Sequence, residues 1–483
     1  MLNKSSIKKL TPYIICILFC VAYTTLSFIR HNHYESFGFD LGLTDQIVWE
    51  YSKFQAPITT IHYYPYTSIL TDHVELIYTP LSIFYWIWDD VRMLLLMQVV
   101  AICSAALPLF FLAREKKITP LVAYALLISF LAFYGLQNAI WFDAHSEVFG
   151  ASFLSWFIYF LDRQKKYPTL IFFLLTIVCK ENMAFLTFLV SITYFIKRRT
   201  KQDLLYIVSS VMYSFIIFFI YFPHFTKMGY EYASSQGLLS NTNPLYLLNT
   251  SNKREVLFVS LGWFGLLPLL SPLSLIPFLG DVYSYFVIGN NIREADGLFM
   301  HYRVTLTPLL TWSTIYSITR FKFLNKWYIA LYFFLITLFF QYSLHLPLSY
   351  LSKHWFWYEQ PAVKSINTLI TYLPKDASVV SQNNITPHLS HRNNIFTLWP
   401  SEQTFKNTSP CGKSTCNWLS WRGGKPEYII VDTSSNWDIR HYLADRPIFI
   451  DALGNMEKYG EISKVKQVEN AILFKINYKR VPK

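Results

Sequence analysis

The chain has 483 residues, of which 53% are hydrophobic and only 15% are charged. Soluble domains usually carry about a quarter charged residues, so the composition excludes an ordinary soluble domain. The formal net charge is +12, but the lysines and arginines form short clusters between apolar runs, which argues against nucleic acid as a partner. Such clusters are typical of the cytoplasmic loops of a membrane protein, and they lie at residues 4–9, 114–117, 163–166, 197–201 and 320–326.

The apolar runs predict about eleven transmembrane helices with the N-terminus in the cytoplasm. The first run, about residues 11–29, follows two lysines and lacks a small-x-small cleavage site, so we interpret it as an uncleaved helix. The polar and aromatic stretch that follows, residues 30–79, is then extracytoplasmic, and residues 223–255 form a second long outer loop.

Two long runs predict helical hairpins instead of single spans. The run 168–196 has basic residues at both ends, and a hairpin places Lys180 and Glu181 at an extracytoplasmic turn or in a protein-lined cavity. The run 256–280 contains three prolines, which break helices, and a hairpin there places residues 281–302 near the outer face.

From about residue 352 onward, mixed charges and short β-like runs replace the apolar pattern. These runs predict strands at residues 378–380, 428–431 and 471–474, together with a helix at residues 361–372. We therefore predict a transmembrane domain over residues 1–350 and an extracytoplasmic α/β domain over residues 351–483. Cys411 and Cys416 lie in a polar part of the second domain, where both a local disulfide and two free thiols stay open.

The segment 141–147 carries three ionisable side chains between two apolar runs. Asp143, His145 and Glu147 stand two residues apart, and Asp143 and Glu147 share a face if a helix continues through them. Ionisable groups at membrane depth are costly and usually face a cavity, and these residue types also bind metal ions. An ordinary polar loop is the structural alternative.

Two further groups of ionisable residues interrupt or border apolar runs. Lys180 and Glu181 form either a buried structural ion pair or a phosphate-binding lysine oriented by its neighbour. His301, Tyr302 and Arg303 lie at the outer end of a predicted helix. Arg303 there either snorkels to lipid head groups or binds a substrate phosphate with its planar guanidinium.

The first outer loop contains the remaining candidates. Asp40, Asp45 and Glu50 follow the first helix, and Asp72 and His73 precede the next apolar run. Acidic loop residues are commonly solvated, which is the alternative for each of them. The predicted topology nevertheless puts all of these groups on the same, extracytoplasmic side, next to the ends of apolar runs.

Seven blocks of the sequence resemble segments of a known protein family. They are FDLGLTDQIVW (39–49), DHVELIYTPL (72–81), FDAHSEVF (142–149), KEN (180–182), HYRVTLTPLL (301–310), ASVVSQNNITPHLSHR (377–392) and YIIVD (428–432). Their content and order resemble a family of multipass membrane proteins of bacteria and archaea that is grouped with the GT-C glycosyltransferases. Two positions depart from the family pattern, because Asn182 stands where Asp is typical and Val74-Glu75 stand where Phe-Ser is typical.

The resemblance implies a GT-C architecture, with a helical transmembrane core, a catalytic first outer loop and an extracytoplasmic C-terminal domain. Such enzymes take a sugar from a polyprenyl-phosphate carrier in the membrane lipid and pass it to a glycan, lipid or protein acceptor, usually with inversion. The acceptor hydroxyl needs a carboxylate base, for which Asp40 is the first candidate and Asp143 the second. The leaving phosphate needs cationic donors, for which Lys180, His301 and Arg303 are candidates.

The other candidate side chains are assigned to substrate binding, with a divalent cation left open. On the resemblance, His73, His145 and Glu147 orient the sugar or hold a metal ion, Mg or Mn, for which Asp143 is a further ligand candidate. The remaining members of the predicted substrate-binding set are Asp45, Glu181 and Tyr302.

Two other functions stay open on the sequence. Intramembrane charges and a proline-broken helix pair are also features of transporters, although the sequence has no two similar halves. A non-catalytic assembly protein of the envelope would need no converging carboxylates, so Asp40→Asn would be harmless in it.

Overall fold

A computed structural model describes residues 4–61, 68–226, 230, 244–288, 297–400, 419–420, 424–434 and 446–478. Cys411, Cys416 and a large part of the predicted loop 223–255 lie outside the described residues. The chain divides into two compact units, of which the first contains residues 1–27, 70–78 and 95–353 and the second contains residues 28–69, 79–94 and 354–483. Much of the predicted first outer loop therefore belongs to the same unit as the C-terminal residues. The division into domains 1–350 and 351–483 stays a prediction.

The described residues form helices that we number in chain order. They are α1 Lys4–Asn32, α2 Leu43–Ser52, α3 Tyr78–Leu81, α4 Arg92–Ser104, α5 Ala106–Glu115, α6 Pro120–Leu131, α7 Tyr134–Phe142, α8 Ser146–Asp162, α9 Lys166–Ile177, α10 Met183–Arg198, α11 Lys201–Phe215, α12 Phe222–Phe225, α13 Ser251–Trp263, α14 Pro272–Tyr283, α15 Leu306–Arg320, α16 Trp327–Ser343, α17 His354–Trp357, α18 Pro361–Ile370 and α19 Arg446–Lys458.

Several of these helices have the length and composition of membrane spans. Within the described residues, four stretches are long and apolar enough to cross a bilayer, namely Lys9–Asn32, Arg92–Glu115, Pro120–Phe142 and Lys201–Phe225. α9 and α16 are shorter apolar helices. The prediction of a multipass helical membrane protein is confirmed, whereas the number of about eleven crossings stays a prediction.

Both predicted hairpins contain the expected interruption. α9 and α10 are separated by residues 178–182, which include Lys180 and Glu181. α13 and α14 are separated by a 3-10 turn over Leu267–Leu270, and Pro272 occupies the first position of α14. Proline is well tolerated there because the first helical N–H has no partner within the helix.

The chain between α7 and α8 is extended, not helical. Asp143 has φ −146° and ψ −172°, and His145 has φ −132° and ψ 144°. The Gln98 side chain holds this break, because its amide donates to the Asp143 carbonyl (3.2 Å) and its carbonyl accepts from the His145 backbone amide (3.3 Å). No helix continues through Asp143 and Glu147, so the condition under which they would share one helical face is not met.

The second unit contains a five-stranded sheet in the order β2-β1-β5-β7-β6. The strands are β1 Val379–Ser381, β2 Ile395–Thr397, β3 Trp399–Pro400, β4 Leu419–Ser420, β5 Tyr428–Asp432, β6 Ile462–Val468 and β7 Ala471–Ile476. β1 is parallel to β2 and β5, whereas β7 is antiparallel to β5 and β6. β3 and β4 form a separate antiparallel pair.

Apolar side chains of the sheet and α19 form the core of this unit. Val380, Ile429 and Phe474 of the strands pack in one buried cluster with Phe449 and Leu453 of the helix. Alternate strand residues point to one face of a sheet, which is how these short runs build a common apolar surface. The predicted small α/β fold is thereby confirmed.

In the first unit, α7 packs closely against the 3-10 segment His301–Thr305. A Cβ added at Gly135 would lie 2.5 Å from the carbonyl oxygen of Arg303 and 2.8 Å from its Cβ. Backbone atoms cannot move aside as a flexible side chain can, so Gly135→Ala is expected to lower the free energy of unfolding by about 1–3 kcal/mol. The melting temperature of the purified protein in detergent measures the loss.

Gly262→Ala in α13 is the matched control for this substitution. A Cβ there would meet Phe340 at 3.5 Å, which is an ordinary contact, and alanine is a better helix former than glycine. The melting temperature is therefore expected to stay unchanged or to rise. An unchanged melting temperature for Gly135→Ala would contradict the close packing of α7 on the segment that carries Arg303.

Candidate active site

The carboxylate of Glu181 joins three parts of the first unit. Its Oε1 lies 2.9 Å from Nδ1 of His73 and accepts a hydrogen bond of 2.7 Å from the hydroxyl of Tyr230. Its Oε2 accepts a hydrogen bond of 3.2 Å from the backbone amide of Val74. The side chain is fully buried, so these donors replace the water that an ionised carboxylate needs.

This pairing shifts the pKa of both partners. Burial raises the pKa of Glu181, but the charge and hydrogen bond of His73, helped by Lys180 and Tyr230, outweigh burial and hold the pKa at about 2. Burial and the charge of Lys180 lower the pKa of His73, whereas Glu181 and Asp72 raise it, and the resulting pKa lies above its ordinary value. Both shifts favour the charged His73–Glu181 pair.

Lys180 is a buried cation between two buried carboxylates. Its Nζ lies 2.7 Å from Oε1 of Glu147 and 3.5 Å from Oε1 of Glu75. The Ser146 hydroxyl donates to the same Glu75 oxygen (2.6 Å), and Nζ lies 5.9 Å from the ring centroid of Tyr302. The predicted ion pair of Lys180 with its sequence neighbour is thus replaced by pairs with residues of two other segments.

The imidazole rings of His145 and His301 stack beside this ion pair. Their centroids are 3.8 Å apart and their planes differ by 4°, and Phe142 continues the stack at 5.0 Å from His301. His301 is 6% exposed, and its Nδ1 accepts or donates no hydrogen bond within the described part of the chain. A buried ring nitrogen of this kind has the capacity to bind a substrate group or a metal ion.

Arg303 and Asp143 are both buried within the first unit. Arg303 is 1% exposed, its Nε donates to the carbonyl of Gly297 (3.0 Å), and its guanidinium carbon lies 4.8 Å from the ring centroid of Phe286. The interpretation that Arg303 snorkels to lipid head groups is therefore wrong. Asp143 is fully buried in the break between α7 and α8.

Most of the predicted site residues therefore gather in the first unit. The contacts above connect His73, His145, Glu147, Lys180, Glu181, His301 and Tyr302. Their roles toward a substrate stay predictions.

Asp40 and Asp45 belong to the second unit. Asp45 is fully buried, and the hydroxyl of Tyr85 donates to its Oδ1. The hydroxyl of Ser390 donates to its Oδ2 at 2.5 Å, and Nε2 of His391 lies 3.0 Å from the same oxygen. Both oxygens of Asp45 are thus engaged by groups of the protein, whereas Asp40 is half-buried in a turn after α1.

Several residues that shape these clusters were not predicted from the sequence. Glu75 stood out only as a departure from the family pattern, although its place two residues after His73 in a charged stretch is a usable signal. Ser390 and His391 lie in the block 377–392 that resembles the family, but the sequence assigned them no role, and Tyr230 carries no such signal. Their contacts join distant parts of the chain, 49 residues apart for Tyr230 and 345 residues apart for Ser390.

Within the described residues, one group has the geometry of a metal site. Ligand atoms of His145, Glu147 and His301 all lie within 4.8 Å of one another. Two imidazole nitrogens and one carboxylate oxygen suit zinc better than magnesium, which prefers oxygen ligands. Asp143 is not a member of this group, and Lys180 already engages Glu147, so a metal ion competes with the lysine for that carboxylate.

The two carboxylates beside Lys180 make its removal costly. Lys180→Met keeps a long side chain but leaves Glu147 and Glu75 buried without their cation, so the free energy of unfolding is expected to fall by about 3–5 kcal/mol. Adding Glu147→Gln removes one of the stranded charges and is expected to restore part of the loss. Chemical unfolding in detergent measures both variants against the wild type.

Arg163→Met is the matched control for the loss of a basic residue from an ion pair. Arg163 lies 2.9 Å from Glu115, but both side chains are more than one third exposed, and exposed pairs contribute little to stability. Its unfolding is expected to resemble that of the wild type. An equally small effect of Lys180→Met would show that the buried pairs do not hold the first unit together.

Comparison with known proteins supplies the fold and the family. The chain is similar to ArnT from Cupriavidus metallidurans bound to undecaprenyl phosphate, with 9% identity, a TM-score of 0.58 and coverage of 97% of this chain and 99% of that chain. The apo state of ArnT matches with 10% identity, a TM-score of 0.57 and coverage of 98% and 99%. No curated protein matches the chain.

At this identity the likeness shows the fold alone, and it confirms the predicted helical membrane fold with a small C-terminal sheet, which is like that of ArnT. A family model described as a predicted membrane protein (DUF2079) matches residues 30–441. Because this match covers most of the chain, the chain belongs to the predicted membrane protein family DUF2079.

Proposed function

We propose that the chain is an integral membrane glycosyltransferase that moves a sugar from a polyprenyl-phosphate carrier to an extracytoplasmic acceptor, with inversion at the sugar. The observation that carries the proposal is the likeness of nearly the whole chain to ArnT, whose structure contains undecaprenyl phosphate. Membrane spans give access to a lipid-linked donor, and the buried charged groups described above supply chemistry that such a transfer needs.

The first unit is the proposed donor site. Negative charge develops on the phosphate as the bond to the sugar breaks, and cationic groups stabilise it. We assign Lys180, His301 and Arg303 to the phosphate. Because Lys180 is held by Glu147 and Glu75, an incoming phosphate takes over one of these contacts. His73, His145, Glu181 and Tyr302 complete the proposed substrate-binding set of the first unit. Asp45, in the second unit, is a separate proposed substrate-binding residue.

A single carboxylate is sufficient as the base of an inverting transfer, since the acceptor oxygen attacks the sugar directly. Asp40 is our first assignment, because it is only half-buried and therefore accessible to an acceptor hydroxyl. Asp143 is the second assignment, and it is fully buried. A buried carboxylate reaches an acceptor only where a cavity opens beside it.

We place the N-terminus in the cytoplasm and the donor site on the opposite side of the membrane. α8 carries Glu147 in its first turn and ends just before Arg163, and α10 begins just after Glu181 and ends at Arg198. In both helices the proposed site and the basic residues are therefore at opposite ends. Basic residues favour the cytoplasmic side, which supports an extracytoplasmic site.

A transfer assay tests the proposed function. Protein purified in detergent is offered radiolabelled polyprenyl-phosphate sugars and extracted envelope acceptors. The wild type is expected to transfer label, and Asp40→Asn is expected to lose at least about 100-fold of that rate, because an amide cannot take the acceptor proton.

Asp451→Asn, an exposed carboxylate of α19, is the matched control and is expected to match the wild type. Equal transfer by Asp40→Asn and the wild type would move the role of the base to Asp143. A wild type that transfers label from none of the donors would contradict the proposed function.

As an alternative to direct contact of His301 with the phosphate, we propose that His145, Glu147 and His301 bind a divalent metal ion, which when bound would offer positive charge to the phosphate. Elemental analysis of protein dialysed against zinc is expected to find about one zinc per chain, and His301→Ala is expected to lose it. Because this is a binding measurement, it does not depend on activity.

His224→Ala is the matched control for metal binding, since His224 is an exposed histidine of α12. It is expected to retain the metal. Zinc retained by His301→Ala, or absent from the wild type, would refute the metal proposal without touching the assignment of Asp40.

A further inference from the structure

In the second unit, the backbone just before Asp40 is bound by one side chain. The amide of Gly38 donates to the backbone carbonyl of Asn383 (2.7 Å) and to its Oδ1 (2.8 Å), and the amide of Phe39 donates to the same Oδ1 (3.2 Å). Asn383 is 3% exposed. Two consecutive amides that would otherwise need water are therefore satisfied by a residue that lies 344 positions away from Phe39 along the chain.

Two glycines allow this close approach. A Cβ at Gly38 would lie 2.8 Å from Cβ of Thr386 and 3.0 Å from the carbonyl oxygen of Asn383. A Cβ at Gly42, on the other side of Asp40, would lie 3.4 Å from Pro387. Close approach of two backbones is a common use of glycine, so the turn is shaped to lie on the segment that follows β1.

The turn that contains Asp40 has an uncommon backbone conformation. Residues Gly38–Gly42 form a π-type turn, in which the amide of Gly42 donates to the carbonyl of Phe37 (3.1 Å). Single π-type turns are rare and frequent at functional sites. Since Asp40 is the central residue of the turn, contacts that fix the turn also fix the direction of its side chain.

We propose that Asn383 is a positioning residue for Asp40. The proposal rests on the proposed function, in which Asp40 takes the proton of the acceptor hydroxyl. A base must lie within hydrogen-bond reach of that proton, and a misplacement of about 1 Å costs about 100-fold in rate. Asn383 binds the backbone of the turn and positions Asp40 through it.

The kinetic arm of the test separates positioning from general stability. Asn383→Ala removes Oδ1 but leaves the backbone carbonyl, and it is expected to lower kcat by about 10- to 100-fold, with little change in the KM for the lipid-linked donor. Asn383→Asp keeps an acceptor oxygen and is expected to recover most of kcat. Its added negative charge should also move the acid limb of the pH–rate profile to higher pH, because a neighbouring like charge disfavours the ionised form of a carboxylate.

The chain offers a matched control in the next residue. The side-chain oxygen of Asn384 accepts no hydrogen bond within the described residues. Asn384→Ala is therefore expected to keep wild-type kinetics and the wild-type pH profile.

A second arm measures the turn without any activity. In an Asp40→Cys background, the rate of maleimide labelling at position 40 is followed by peptide mass spectrometry, which distinguishes this cysteine from the native ones. Labelling is expected to speed up several-fold when Asn383→Ala or Gly38→Ala is added, and to stay unchanged with Asn384→Ala. Gly38→Ala tests the same contact from the other side.

The two arms give distinct outcomes. Faster labelling together with reduced kcat for Asn383→Ala, partly restored by Asn383→Asp, supports the proposal. Unchanged labelling overturns it, as does faster labelling with wild-type kcat. If the wild type transfers no sugar while labelling responds as expected, the proposed function fails and Asn383 is reduced to a structural contact.

Discussion

The first unit is organised around the buried cation of Lys180. An uncompensated charge in a protein interior is strongly destabilising, and good geometry with charged partners is needed to offset the loss of water. Glu147 comes from the start of α8 and Glu75 from the end of the first outer loop, so both must converge on the turn between α9 and α10. One cation thereby fixes the meeting point of three parts of the chain.

Glu181, the residue after Lys180, makes the arrangement of these segments specific. The segment 73–75 carries a positive charge at His73 and a negative charge at Glu75. The segment 180–181 carries a positive charge at Lys180 and a negative charge at Glu181. The observed contacts pair His73 with Glu181 and Glu75 with Lys180. A shift of one segment by one residue would remove these pairings and bury charges without partners, which provides a physical reason for a unique arrangement.

The second unit uses polar contacts in a similar way. Asp45 is buried and is satisfied by donors from Tyr85 and Ser390, and the turn around Asp40 is bound through Asn383. In both places residues that follow α1 depend on residues of the C-terminal part of the chain. One fold accommodates more than one chemistry, so the proposals about the donor site, the base and the metal ion depend on these local arrangements.

The sequence alone predicts the membrane class, the positions of the two helical hairpins and three of the five strands of the C-terminal sheet, namely β1, β5 and β7, because apolar length, prolines and residue alternation act locally. It predicts neither β2 nor β6. It also identified most of the ionisable residues that gather near Lys180, because charges within apolar runs are rare. The sequence does not show which of these groups pair with one another. Contacts between distant parts of the chain determine the partners of Lys180, the burial of Arg303 and the extended break at Asp143. They also determine the hydrogen bonds of Asn383 to the turn that contains Asp40. No local pattern encodes such contacts, since they arise only when separate segments compete to satisfy the same buried charges and amides.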